Sequence, residues 1–478
     1  MPDKNKKTAF ARLKAIEWRA LLTDIKEAIA GSDRDFTSDS IGKALFILSV
    51  PMVIEMIMES IFAIVDIFFV AQLGADAVAT VGITESSMTI VYAIGMGLST
   101  ATTALVARRI GEKKPEKAGV AAFQAIVAGL LVSVLISVPG VIYAREFLIL
   151  MGASEEMADA GYLYPAVMFG SNAVIMLLFI INAVFRSSGD AAVSMRVLLL
   201  GNFINIVLDP LLIFGIGPFP ELGLMGAAVA TSIGRGLAVC YQFYLLFKGH
   251  KRIRLELGHL RIKLRVMVQL IRLSAGGILQ YIIATSSWIA LYRIIAELGA
   301  EVMAGYTIAI RIVVFVLLPS WGLSNAASTL VGQNLGARKP ERAERTVWIT
   351  AVANMILLGL VGLVLIIVPE PFIRLFIDTP QVVENGVLAL RIISFGFVFY
   401  ALGMVLTQGF NGSGDTVTPM RINLFCFWMF EIPLAYLLAI VFDLKIYGIS
   451  IAIVAAESAL TLMAWYFFRK GKWKQMNV

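Results

Sequence analysis

Residues 54–69 read IEMIMESIFAIVDIFF, a run apolar enough for a bilayer that nevertheless carries Glu55, Glu59 and Asp66. At about 100° per residue, Glu59 and Asp66 fall about 40° and about 20° round a helix from Glu55, so the three carboxyls share one face. A charge at mid-bilayer costs roughly 2.5–3.5 kcal/mol. A proton, a metal ion or a water-filled cavity has to offset that cost. A second group lies in GNFINIVLDPLLIFG (201–215), where Asn205 and Asp209 stand one helical turn apart on one face. Pro210 follows, removing an N–H and freeing the Ile206 carbonyl. Two aspartates, an asparagine and a nearby hydroxyl make a hard oxygen site. It suits Na⁺, or a proton shared by acids that cannot both ionise cheaply.

Enzyme chemistry is not expected. The two histidines, His250 and His259, share one basic loop, which excludes the HExxH arrangement, and no GxSxG occurs. Cys240 and Cys426 both fall in apolar runs, so neither a disulfide framework nor a thiolate metal site is implied. No cofactor is expected beyond a coupling H⁺ or Na⁺, and no nucleic-acid partner.

The elements that must hold these groups are membrane helices. Of the 478 residues 59% are hydrophobic and 15% charged, against about 25% charged in a soluble domain. Apolar runs of about 20 residues recur along the chain. They predict twelve spans, at 42–70, 79–106, 118–143, 159–184, 194–215, 222–247, 273–297, 303–331, 345–368, 386–409, 418–441 and 446–468. Among 40 lysines and arginines only Arg145, Arg374 and Lys445 fall in the loops of one side. The positive-inside rule therefore places both termini in the cytoplasm of a multi-pass protein of the cell (inner or plasma) membrane. In the N-terminal segment, Phe10, Leu13, Leu21, Ile25 and Ile29 recur at near-helical spacing beside Lys14, Arg19 and Lys26. That pattern fits an amphipathic surface helix or a loosely ordered tail.

The chain says one thing twice. FRSSGDAAVSMR (185–196) and FNGSGDTVTPMR (410–421) are offset by 225 residues, as are LVARRIGEKKPEKA (105–118) and LVGQNLGARKPERA (330–343). A duplicated six-helix unit has an even number of spans. Its copies therefore share one topology, related by a pseudo-two-fold axis along the membrane normal. The organisation expected is an all-α membrane protein with a cytoplasmic segment 1–40, an N-lobe 41–247, a basic linker 248–272, a C-lobe 273–468 and a cytoplasmic tail 469–478. Two like lobes facing across a membrane leave a cleft, and rocking about it gives alternating access.

Function is expected where the copies disagree. Under the offset, Glu55, Glu59 and Asp66 fall on Gln280, Ala284 and Leu291, and Asn205 and Asp209 have no counterpart in FWMFEIPLAYLLA (427–439). The first lobe keeps the acids, and Asp66 and Asp209 both lie in its outer half. Glu85, Arg235, Arg293, Arg311, Arg391 and Glu431 line the cleft or form structural ion pairs. Phe and Met side chains in the cleft would suit flat, cationic, amphiphilic guests.

Over about residues 41–470 the chain resembles the multidrug and toxic compound extrusion (MATE) family. The carrying stretches are IFAIVDIFFVAQLGADAVATVGI (61–83), GLSTATTALVARRIGEKK (97–114), FRSSGDAAVSMRVLLLGNFINIVLDPLLIFG (185–215), LMGAAVATSIG (224–234) and FNGSGDTVTPMR (410–421). The resemblance implies a secondary-active, monomeric exporter of small organic compounds. In the NorM-like branch, coupling carboxylates sit in the second lobe at positions that are Ala284 and Ala401 here. The first-lobe acids resemble the DinF-like branch. There the position of Asp66 couples ion to drug, and those of Asn205, Asp209 and Thr231 bind Na⁺ or a proton. Glu59 replaces a usual glutamine and Glu55 is also unusual, so both are candidates for additional titration. The alternatives are an exporter of one endogenous metabolite and a lipid-linked precursor flippase of the same wider superfamily.

Overall fold

The computed structural model describes residues 22–249, 252–476 and 478. The N-terminal amphipathic pattern lies mostly outside them; residues 22–30 are helical. The spanning helices of the first half are α1 Ile41–Ala71, α2 Ala75–Gly111, α3 Pro115–Ile142, α4 Leu163–Ser188, α5 Ala191–Ile213 and α6 Leu224–Lys248. Those of the second half are α7 Leu264–Ala296, α8 Ala300–Gly336, α9 Pro340–Ile367, α10, α11 Val417–Val441 and α12 Lys445–Arg469. Helix α10 is two pieces, Pro380–Phe395 and Phe397–Ser413, bent by 54°. By length and hydropathy ten helices, or eleven with the bent pair, can cross a membrane. The twelfth expected span, α1, is a 31-residue helix that carries the acidic run.

The repeat is exact to the residue in several places. Adding 225 to the bounds of α2 gives those of α8, and adding it to α3 gives α9. The left-handed caps Gly189 and Gly414 have φ of 98° and 91°, and Lys113 and Arg338 both have φ of 58°. Helix α7 breaks from expectation by starting at Leu264, inside the segment read as linker. Met267 and Leu270 are buried there against the first lobe's core, and that apolar contact extends the helix past the basic residues.

The lobes cross-pack by the same symmetry, α1 on α8 and α2 on α7, with α2 on α8 at the centre. A Cβ at Gly97 would meet the Ile278 backbone nitrogen at 2.5 Å, and one at Gly336 would meet the Arg108 carbonyl oxygen at 2.2 Å. Leu45, Leu48 and Met52 of α1 pack with Ala326 and Leu330 of α8. All these contacts lie in the half of the molecule that holds the termini. The terminal segments lace it further. Lys339 Nζ donates to the Thr37 carbonyl at 2.8 Å, and Arg342 donates to those of Phe36 and Asp39. From the other end of the chain, Arg108 and Arg109 of α2 hold the Met476 and Val478 carbonyls at 2.5 and 2.7 Å.

Candidate ion site

The acidic face of α1 turns inward, into its own lobe. Arg186 Nη1, near the end of α4, donates to Glu55 Oε1 at 3.0 Å, with Asn182 Nδ2 3.5 Å from the same oxygen. One turn along, Arg235 Nη2 of α6 donates to Glu59 Oε1 at 3.1 Å, and the guanidinium lies 5.4 Å from the Phe62 ring centre. Both arginines are close to fully buried. The Glu55–Arg186 pair is buried and recovers through Coulomb attraction most of what removal from water costs, whereas one half alone would not; the Glu59 side chain is partly exposed. Glu85 on α2 accepts from the Tyr92 hydroxyl at 3.3 Å and adds its charge to those around Arg235.

Asp66 makes neither kind of contact. Its Oδ1 is buried with no hydrogen-bond donor, and Asp209, Glu85 and Arg235 lie close enough for their charges to act on it. Helix α1 packs along α5 and brings it there.

On α5 and α6 three expected residues meet. Asn205 Nδ2 donates to Asp209 Oδ1 at 3.3 Å and to Thr231 Oγ1 at 3.0 Å. Small residues make that approach possible. A Cβ at Gly234 would sit 2.6 Å from the Gly201 carbonyl oxygen and 3.2 Å from Asn205 Cβ, so the helix backbones touch where a larger side chain would hold them apart. Asp209 is fully buried, and its Oδ2 and Asn205 Oδ1 have no donor. The result is a cluster of buried acceptor oxygens suited to a proton, a cation or a water molecule. Its donor set (two carboxyls, an amide and a hydroxyl) is oxygen throughout. Among the described residues no three His, Cys, Asp or Glu side chains converge as a metal site.

Asp66, Asn205, Asp209 and Thr231 thus lie in one region, though no hydrogen bond joins Asp66 to Asp209. Glu55 and Glu59 stand beside it, held by arginines. Reading the sequence for acids alone passes over Arg186, yet the repeat carries a signal for it. Under the offset Glu55 and Arg186 become Gln280 and Asn411, and Glu59 becomes Ala284. The Glu55–Arg186 ion pair is lost as a pair. The second lobe also holds acids, among them Glu431, read from the sequence as lining the cleft or pairing. Glu431 of α11 and Glu457 of α12 act on one another's charge inside it. Glu457 escapes a search for acids on one helix face, because its partner stands on the neighbouring helix.

Comparison with known proteins places this geometry. The family model MatE matches residues 51–211 and again 277–437, well over half of the chain. A relative named "Probable multidrug resistance protein NorM" from Thermotoga maritima is 27% identical over 442 residues, covering 92% of this chain and 94% of its own. One named "FAD transporter" from Shewanella oneidensis is 26% identical over 438 residues, covering 91% and 95%. A solved structure described as the outward-facing conformation of a multidrug resistance MATE family transporter superposes with a TM-score of 0.86. It is 23% identical and covers 92% of this chain and 98% of its own, a likeness of fold.

Proposed function

The chain belongs to the MatE family, and from that premise we propose that it expels cationic, amphiphilic organic compounds in exchange for protons bound at Asp66 and Asp209. It is a secondary-active multidrug exporter of the cell membrane, not an enzyme. The observation that carries the coupling role is the buried acceptor cluster of Asp66, Asp209 and Asn205, which lacks the arginine that Glu55 and Glu59 each have. Acids on α1 and α5, with Ala284 and Ala401 in the second lobe, support placement in the DinF-like branch.

The basic loops support a cytoplasmic position for both termini. The contacts that close the lobes then lie on the cytoplasmic side, and the cleft faces outward. In this state a proton from outside is shared by Asp209 and Asp66, removing one of their two charges and letting α1 and α5 settle together. That movement narrows the cleft and releases the guest. The loaded carrier turns inward, gives up its proton and binds the next guest. One proton entering down about 100 mV and about one pH unit supplies about 3.7 kcal/mol, about 2.3 from the potential and about 1.4 from the pH difference. If a monovalent cation leaves per proton, the potential cancels and the pH difference alone drives about a tenfold gradient.

A proton needs only the carboxyl oxygens, and Asp66 Oδ1 and Asp209 Oδ2 are both buried without a donor. The expected working unit is a monomer in lipid. A second reading, export of one endogenous metabolite, is favoured by the relative named for FAD, which is as similar as the one named for drug resistance. A lipid-linked precursor flippase would need a cationic cavity, and the side chains gathered here are mainly acidic. Efflux from proteoliposomes under a pH gradient, then under a sodium gradient, tests the proposal. It expects export with the first alone, and export with sodium alone overturns the proton assignment.

A further inference from the structure

One edge of α8 touches the first lobe, and its tightest point fixes which way that edge looks. A Cβ at Gly322 would lie 2.9 Å from the Met52 carbonyl oxygen of α1. Arg311 stands about three turns earlier, about 20° round the helix from Gly322 and about 16 Å nearer the end remote from the termini. Phe315 lies between them on the same edge. Both side chains are exposed at that level. Helix α7 behaves alike. Its backbone at Ile278 packs on Gly97 of α2, and Ile289, about three turns on, points within about 20° of the same direction. Trp288 and Ile289 are exposed there, and Arg293, also exposed, follows one turn further out. The edges that close on the N-lobe beside the termini therefore open, further along, into one wall of the cleft.

That wall carries two charges with no counterpart opposite. The offset places Arg311 on Ser86 and Arg293 on Phe68. The register holds in these helices: α1 and α7 end on Ala71 and Ala296, and α2 and α8 match at both ends. Among the described residues neither arginine forms an ion pair or a hydrogen bond, whereas Arg186 and Arg235 are held by Glu55 and Glu59. A guanidinium within a span that lacks a carboxylate partner faces water or a ligand. Its planar fork offers two parallel N–H donors, the match for a carboxylate, sulfonate or phosphate. Trp288 and Phe315 add flat apolar surface on the same wall.

We propose that Arg311, with Arg293 nearer the mouth, binds an acidic group of the guest. This rests on the export reading above and narrows its guest class to planar amphiphiles carrying a carboxylate, sulfonate or phosphate as well as a cation. It does not depend on which ion drives transport. Glu55 and Glu59 are taken by their own arginines, so they do not compete for this wall.

Equilibrium binding to the full chain in phosphatidylcholine nanodiscs tests this without a gradient. The probes are a xanthene dye bearing a free carboxylate and its ethyl ester, which share one planar cationic ring system. Fluorescence polarisation should show the acid bound about tenfold more tightly than the ester. Arg311→Gln should bring the acid to the ester's affinity and leave the ester unchanged, while Arg311→Lys keeps part of the preference. Equal affinities in wild type overturn the proposal, as does an undiminished preference in Arg311→Gln/Arg293→Gln. A lipid phosphate is the other source of the same chemistry. A preference kept when phosphatidylglycerol replaces part of the phosphatidylcholine supports guest recognition; a preference abolished by it assigns the arginines to headgroups and overturns the proposal. The preference should persist in Asp66→Asn/Asp209→Asn, so failure of the coupling reading leaves this result standing. Conversely, pH-driven export of the ester by a wild type that shows no preference for the acid would sink this proposal alone. Should Arg311→Gln fail to reach the membrane, the wild-type comparison and Arg293→Gln still decide it.

Discussion

Glu55 of α1 and Arg186 of α4 stand 3.0 Å apart in the core of one lobe, and the internal repeat replaces both at once, by Gln280 and Asn411. The second lobe shows that a neutral amide pair fits the same scaffold. The charge of the first lobe is therefore a paired feature, gained or lost together.

Breaking that pair from one side should be worse than removing it whole. Glu55→Gln leaves a buried guanidinium unmatched, at about 3–5 kcal/mol. The double variant Glu55→Gln/Arg186→Asn, which copies the other lobe, should recover more than half of that loss. Thermal unfolding in detergent reads both. Additive losses would mean that the two side chains do not depend on each other.

Ala284 stands where Glu59 does in the first lobe. Ala284→Glu introduces a carboxylate with no cation opposite, at roughly 2.5–3.5 kcal/mol. Expression and export should fall or stay level. A gain in proton-coupled export would mean that the lobes' roles are reversed.

Gly234 lets α6 lie on α5, since a methyl there would meet the Gly201 carbonyl oxygen at 2.6 Å. Gly234→Ala should separate Thr231 from Asn205 and cut export several-fold while protein still reaches the membrane. Efflux rate normalised to membrane protein measures it. Unchanged efflux would remove the Asn205–Thr231 contact from the account.

Arg342 spans the lobe boundary by binding the Phe36 and Asp39 carbonyls. Arg342→Ala should loosen closure at the end that holds the termini. Spin labels on the loops after α2 and α8 should report longer distances in a larger share of molecules. A distance distribution identical to wild type would mean that the laced termini are passengers.

The fold was legible because two signals do not depend on packing. Apolar length gave the spans, and the 225-residue offset gave the lobes, down to the matched ends of α2 and α8. The Asn205–Asp209 pair was legible because both stand on one helix, one turn apart. Partners from other helices were not. Arg186 of α4 and Arg235 of α6 meet the α1 acids only through long side chains reaching across the folded lobe. Periodicity within one helix carries no information about which helix lies opposite. The start of α7 at Leu264 was hidden for a related reason. Charges at 263, 265 and 272 read as a loop, while Met267 and Leu270 are buried by the other lobe.

The central claim is that a positive charge held by Asp66 and Asp209 decides which way the carrier faces. The most direct test is uphill drug export in proteoliposomes under an imposed pH gradient, with wild type and Asp66→Asn reconstituted at equal amounts. Wild type should accumulate the drug against its gradient, and Asp66→Asn should pass it only downhill. Uphill export retained by Asp66→Asn would contradict the account.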